Sequence, residues 1–291
     1  MTVQAQSASL PRAAHSVERG RAIREILLRY LVIVPVAMLT LLPVYSAFVG
    51  SLTEYEHLGQ GMTLPLDWAW HNFIDVWSRM PLLEHLSATL IYATGSAVIC
   101  GVIATIAGYA LSRFQFGTRK FWLYVLLVCQ VIPLIVIVLP LFRLVSAVGL
   151  YDTYPSIVIP LAALSLPFPI MLMKSYFDTV PVEMEEAARV DGCSRFGALV
   201  RVVVPVATPG IFTVTTLVFF QSWHTFTLPL ILSSSPDKTP VTVGIFRLLA
   251  DGYQPWQYMM AASLIAVVPP LIVYFIAQRQ FVAGLTSGAV K

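Results

Sequence analysis

The chain has 291 residues, of which 57% are hydrophobic and only 11% charged, with a mean hydropathy of +0.78. A soluble domain of this length needs far more charge to cover its surface, so the composition points to an integral membrane protein. The net charge of +3 is small, and three cysteines without a CxxC or Cys/His spacing make neither a disulfide set nor a metal site.

Crossing about 30 Å of hydrocarbon takes about 20 apolar residues. Six stretches qualify, at roughly 30–51, 86–111, 121–144, 155–177, 207–232 and 256–278. The expected fold is therefore all-α and membrane-integral, with six transmembrane helices. Residues 1–29 form a polar N-terminal segment without a small-residue cleavage site, so the first stretch reads as a retained anchor. The membrane-spanning body then covers 30–280, with a cytoplasmic loop at 178–206 between the fourth and fifth spans and a tail at 281–291.

Orientation follows from the cations. With the N-terminus inside, fourteen of the eighteen Lys and Arg residues fall on the inner side, including five before the first span and four around 174–201. Only Arg79, Arg143, Lys238 and Arg247 fall outside. The positive-inside rule then places both termini in the cytoplasm of a multi-pass membrane protein.

The second span carries Ala97, Gly101, Ala104 and Gly108 at helical spacing, a stripe that lets another helix backbone approach closely. Prolines interrupt most spans, among them Pro133, Pro140, Pro160, Pro167, Pro229, Pro269 and Pro270, so kinked helices are expected. Polar side chains at membrane depth are costly and therefore informative. Gln130 in the third span, and Gln221, Trp223 and His224 in the fifth, are the candidates for lining a translocation path. Hydrogen bonding between helices is the alternative for the polar residues, and a place in an interfacial aromatic belt is the alternative for Trp223.

The sequence contains no phosphate-binding G-x-x-x-x-G-K-[ST] loop, no G-x-S-x-G, no H-E-x-x-H and no basic, aromatic surface for nucleic acid. No catalytic residue and no bound cofactor or metal are expected of this chain. A lone ion-coupled carrier would need an ionisable group at mid-membrane and an internal repeat, and neither is visible.

Residues 185–210, EEAARVDGCSRFGALVRVVVPVATPG, depart from the apolar background. Pro181 suits the start of a short helix, with Asp178 or Thr179 placed to cap it, and Glu183, Glu185 and Glu186 suit its positive end. Gly192 after Asp191 reads as its stop, and Ser194 as the cap of a second helix. Phe196, Leu199, Val200 and Val203 recur on one face of that helix, after which Pro205 and Pro209 redirect the chain into the fifth span. The pair of helices suits either a socket on a partner or a solvated membrane surface.

The pattern E-A-A-x-x-D-G, here Glu186, Ala187, Ala188, Asp191 and Gly192, followed by Pro205 and Pro209, resembles the EAA loop of permease subunits of bacterial ABC importers. The stretch 228–246, LPLILSSSPDKTPVTVGIF, and the tail FVAGLTSGAVK are similar to the carbohydrate-importer, maltose-permease-like branch. One departure is SWHTF at 222–226, where many relatives resemble S-W-N-E-F.

The resemblance implies a subunit of the inner membrane that pairs with a second, homologous permease, an ATPase dimer and an external solute-binding protein. It would carry a di- or oligosaccharide by alternating access, with ATP and Mg held by the ATPase subunits. Glu186, Ala187, Ala188 and Gly192 would dock on the ATPase and Asp191 would hold the turn. The tail 281–291 would reach the ATPase dimer, and the loop 233–255 would meet the binding protein. Glycerol 3-phosphate or a related phosphodiester is the alternative cargo; the scarcity of cations near the spans, with Arg143 and Lys174 only at their ends, favours a neutral sugar.

Overall fold

The structure, a computed structural model, describes residues 12–58, 64–65, 67–249 and 255–289, with side chains described between 29 and 278. Among these residues there are thirteen α-helices and no strand. The first group is α1 (Arg12–Ser51), the short α2 (Asn72–Arg79) and the long α3 (Leu82–Arg113). Two pairs follow, α4 (Arg119–Cys129) with α5 (Leu134–Ala147), and α6 (Tyr154–Ser165) with α7 (Pro167–Thr179). The polar loop holds α8 (Val182–Val190) and α9 (Arg195–Ala198), which leads into α10 (Val204–Trp223). The chain ends with α11 (Thr227–Leu232), α12 (Val241–Arg247) and α13 (Trp256–Ala289).

Four helical stretches are long and apolar enough to cross a membrane, and the two bent pairs raise the number to six if each pair is one span. The expected third span is not straight: α4 and α5 meet at 99°. Pro133 explains the break, because it has no N–H for the carbonyl of Cys129 and its ring collides with it. The fourth span bends by 49° at Leu166, just before Pro167. The expected fifth span is also divided, since α10 stops at Trp223 and α11 begins at Thr227. Pro229 cannot bond the carbonyl of Thr225, which instead accepts a hydrogen bond from the Thr242 hydroxyl at 2.6 Å.

Pro205 and Pro209 do not redirect the chain as expected. A π-helical segment at Leu199–Val203 joins α9 to α10, so a helical path runs from Arg195 to Trp223. The wider turn loosens the bonding that Pro205 would otherwise break. Likewise α13 continues through Pro269 and Pro270.

At the centre stands α3, touching α6, α7 and α10. The predicted small-residue stripe faces these neighbours, with Ala97, Gly101, Ala104 and Gly108 all buried. A Cβ on Gly101 would collide with Thr215 of α10. Close approach of this kind replaces the hydrophobic drive that lipid cannot supply between helices.

At the other end of the bundle, the segment 233–240 is pinned rather than loose. Asp152 accepts bonds from the backbone N–H groups of Ser234 (2.8 Å) and Ser235 (3.1 Å) and from the Ser235 hydroxyl. Tyr92 donates to the carbonyl of Lys238 at 2.6 Å and Tyr154 to that of Asp237 at 2.9 Å. Burial works to raise the Asp152 carboxyl, but the bonds from Ser234 and Ser235, with Lys238 nearby, outweigh it and hold it below the usual carboxylate range.

Candidate functional site

Three helix breaks, at 130–133, 166 and 224–226, converge on a cavity of about 520 Å³. Irregular backbone at membrane depth is tolerated only where protein buries it or a wet cavity solvates it. Gln130, Gln221 and His224 all line this cavity. Gln130 closes the end of α4 and makes only long contacts, 3.5 Å to the Leu126 carbonyl and 3.6 Å to the Met171 sulfur. Gln221 and His224 are exposed and, among the described residues, their side chains make no hydrogen bond. Among the described residues they make none of the interhelical bonds offered as their alternative. Their amide and imidazole groups are available to a ligand.

Trp223 goes the other way. It is buried against Phe219 of the same helix, with ring centroids 5.6 Å apart, and does not line the cavity. The helical period explains the split: Gln221 and His224 are three residues apart on one side, and Trp223 faces the opposite side.

The cavity also takes Ser165, Phe168, Phe226 and Thr227, which the sequence reading missed. Their signal was available, because each lies within three residues of a proline that forces a break. No Asp, Glu, Lys or Arg is among the lining residues. Hydroxyl, amide and imidazole groups among aliphatic and phenyl walls can bind a neutral, hydroxyl-rich molecule by hydrogen bonding and ring contact.

The second candidate is the polar loop. Pro181 is extended at φ −57°, ψ 133° and precedes α8, which places Glu183 and Glu185 in the first turn. Asp178 and Thr179 do not cap this helix. Asp178 instead accepts from Ser112 (2.7 Å) and pairs with Lys174, and Thr179 donates back to Tyr176. Gly192 adopts φ +91°, the left-handed turn that stops α8, and its N–H reaches the Arg189 carbonyl at 3.1 Å. Ser194 caps α9 as predicted, accepting from the Gly197 N–H at 3.1 Å.

Within α8, Glu186 and Ala187 are exposed, as are Asp191 and Gly192 beyond it, and Val190 is 88% exposed. Ala188 does not share that outer surface; it is buried at 8% exposure, on the side where α8 meets the Leu199–Val203 segment. The expected apolar face of the next helix is divided as well. Leu199 and Val203 are buried, whereas Phe196 stands 72% exposed and Val200 is also exposed. The outer surface of this loop is therefore partly apolar, with Val190 and Phe196 as its projecting groups.

The sequence reading also missed Glu185. Its carboxylate is buried, accepts from the Tyr109 phenol at 2.5 Å and faces the Arg113 Nε at 3.4 Å. The only signal for it was that Glu185 precedes the motif by one position, a quarter-turn away from Glu186 on the helix.

A cavity built at proline-broken helices and an exposed helical elbow on a proline-rich span define a transport component. The chain belongs to the family of binding-protein-dependent transport system inner membrane components, which it matches over residues 97–287. It is 33% identical over 232 residues to a sulfoquinovosyl glycerol transport system permease of Agrobacterium fabrum, covering 78% of this chain and 81% of the relative. It is 32% identical to a trehalose transport system permease of Mycobacterium tuberculosis, covering 86% of this chain and 92% of the relative. A crystal structure of a bacterial ABC transporter that imports the acidic polysaccharide alginate shares the fold, with a TM-score of 0.72 and 23% identity over 94% of this chain and 100% of that chain. The resemblance to ABC importer permeases drawn from the EAA pattern, and to their carbohydrate branch drawn from 228–246 and the tail, is borne out by these relatives.

Proposed function

We propose that this protein is the permease subunit of an importer for a neutral di- or oligosaccharide. The observation that carries the reading is the uncharged cavity at the three converging breaks. A sugar brings many hydroxyl groups and no charge, and amide, imidazole and hydroxyl groups match it without stranding an ion. A phosphodiester or a sugar acid would call for a permanent cation, and the lining residues include no Lys or Arg.

The chain itself does no chemistry. ATP and Mg belong to partner ATPase subunits, and a second, homologous permease completes the path. Both termini and the 178–206 loop lie in the cytoplasm, following the basic residues. Glu186, Ala187, Asp191 and Gly192 form the docking surface for an ATPase subunit, joined by the exposed Val190, while Ala188 seats the helix on its own chain. Their partial apolarity and small size suit a cleft on a partner. The segment 233–240 receives the external binding protein; 250–254 of the expected loop and 290–291 of the tail lie outside the described residues.

The test is reconstitution of the assembled transporter in proteoliposomes, with uptake of radiolabelled neutral oligosaccharides compared with glycerol 3-phosphate. Cys129 lines the cavity and Cys100 is buried, so in a Cys193→Ser background blockage by a thiol reagent and protection by the sugar report on the site directly. ATP-dependent uptake of a neutral sugar, with protection of Cys129, is expected. Uptake of the phosphodiester alone, or modification of Cys129 without effect, overturns the assignment.

A further inference from the structure

The helix α8 carries the proposed docking surface, yet little of it is attached to the rest of the chain. Of its nine residues only Glu185 and Ala188 are buried. Ala188 offers only a methyl group, whereas Glu185 makes a directional contact. Its Oε1 accepts from Tyr109 at 2.5 Å, and its Oε2 faces the Nε of Arg113 at 3.4 Å. Arg113 also donates through Nη2 to the carbonyl of Val180 at 2.7 Å, at the connection that leads into α8. One turn of α3 thus grips both ends of the link, and Ser112 of the same turn holds Asp178 at the end of α7.

Tyr109 is itself clamped. Its ring packs edge-on against Phe177 (5.8 Å) and Phe114 (6.0 Å), so its hydroxyl cannot swing to follow a retreating carboxylate. Among the described residues, Glu185 has no other cation within ion-pair distance. Separating it from α3 would strip a buried carboxylate of both its Tyr109 and its Arg113 partner, a far greater cost than moving the two helices together. The helix so gripped is α3, which touches α6, α7 and α10, three helices whose ends form the cavity.

We propose that Glu185 is a positioning residue, the joint through which a displacement of α8 is delivered to α3 and from there to the cavity. This rests on the importer reading above. The alternative route for the same displacement is the apolar contact of α8 with the Leu199–Val203 segment and hence α10.

The test uses the complete transporter, with its second permease, ATPase subunits and binding protein, in proteoliposomes. Sugar transported per ATP hydrolysed is measured for Tyr109→Phe, Glu185→Gln and Glu185→Ala, normalised to the ATPase that co-purifies. Glu185→Ala is expected to lower sugar per ATP about tenfold, within the range of coupling between distant sites. Glu185→Gln keeps an acceptor for Tyr109 and should retain part of it. A purely structural role would reduce the yield of assembled complex and leave sugar per ATP unchanged, and that result overturns the proposal. Tyr109→Phe keeps the ring packing and loses one hydroxyl, so it decides the matter if Glu185→Ala does not assemble: normal coupling in Tyr109→Phe and Glu185→Gln overturns the joint. A wild-type chain that neither retains an ATPase nor takes up sugar overturns the importer reading itself.

Discussion

Gly108 lies against Met173 so closely that a Cβ on the glycine would stand 2.7 Å from the Cβ of Met173 and 2.9 Å from the backbone nitrogen of Lys174. The second of these atoms is main chain and cannot rotate away, so the crossing of α3 and α7 depends on the absence of a side chain. Gly108→Val is expected to destabilise the folded protein by about 1–3 kcal/mol, the usual effect of overpacking. Thermal unfolding in detergent checks this, with Gly117→Ala as the control, since a Cβ there meets nothing within 4 Å.

The cavity residues separate binding from folding. Gln221→Ala and His224→Ala each remove one neutral hydrogen-bonding group from an exposed wall. Losing one such bond to a sugar is worth about 0.5–1.5 kcal/mol, so the uptake KM should rise by roughly two- to tenfold with little change in assembled yield. Trp223→Ala, between them in sequence but buried, should instead cost about 3–5 kcal/mol of stability and lower the yield. Kinetic and yield measurements on the three variants together test the division of this short stretch. An equal loss of yield in all three would show that the polar pair is structural.

Asp152 ties the turn before α6 to the 233–240 segment while adopting a left-handed backbone angle of φ +56°. Asp152→Asn should be tolerated in that conformation and keep an acceptor, whereas Asp152→Ala loses the acceptor and is strained as well. The alanine variant is expected to cost about 1–3 kcal/mol locally and to speed amide exchange at Ser234 and Ser235. Because the folded Asp152 carboxyl sits below its ordinary value of 3.8, its contribution is present above pH 3.8 and fades as pH falls through the lower, folded value. Hydrogen exchange in wild type at pH 6 and at progressively lower pH should therefore show the segment loosening in acid.

The helices were legible because hydropathy acts over long windows, where single errors average out. The stripe at Ala97, Gly101, Ala104 and Gly108 was legible for the same reason that it works: small residues at helical spacing face one neighbour. The breaks were less legible. Pro133, Pro167 and Pro229 interrupt the helical path, but Pro140, Pro160, Pro209, Pro269 and Pro270 lie inside continuous helices. Whether a proline breaks or bends a helix depends on what receives the freed carbonyl, and Thr242 bonding Thr225 from seventeen residues away is invisible to local pattern. Glu185 was overlooked because three glutamates in the first turns of α8 look alike in sequence. Only its meeting with Tyr109, 76 residues away, distinguishes it.

His57 and Asp67 form a surface ion pair between 54–58 and the chain before α2, with 2.9 Å between His57 Nδ1 and Asp67 Oδ1. Asp67 also accepts from the Glu54 N–H at 2.9 Å. The hydrogen bond to Asp67, with its charge, raises His57 above 6.5, while the bonds from Glu54 and His57 hold Asp67 below 3.8. His57 contributes fully below pH 6.5, and that contribution is lost as pH rises through its higher folded value. Asp67 contributes above pH 3.8 and is lost as pH falls through its lower folded value. The link is therefore complete between about pH 4 and 6.5 and weakens as pH rises through the folded value of His57 or falls through that of Asp67. Limited proteolysis of the 52–70 segment should be slowest near pH 5 and faster at pH 8. His57→Gln, which cannot carry the charge, should show no such difference, and screening by 0.5 M salt should reduce it in wild type. A wild-type profile that matches His57→Gln at every pH would show that the pair does not hold this segment.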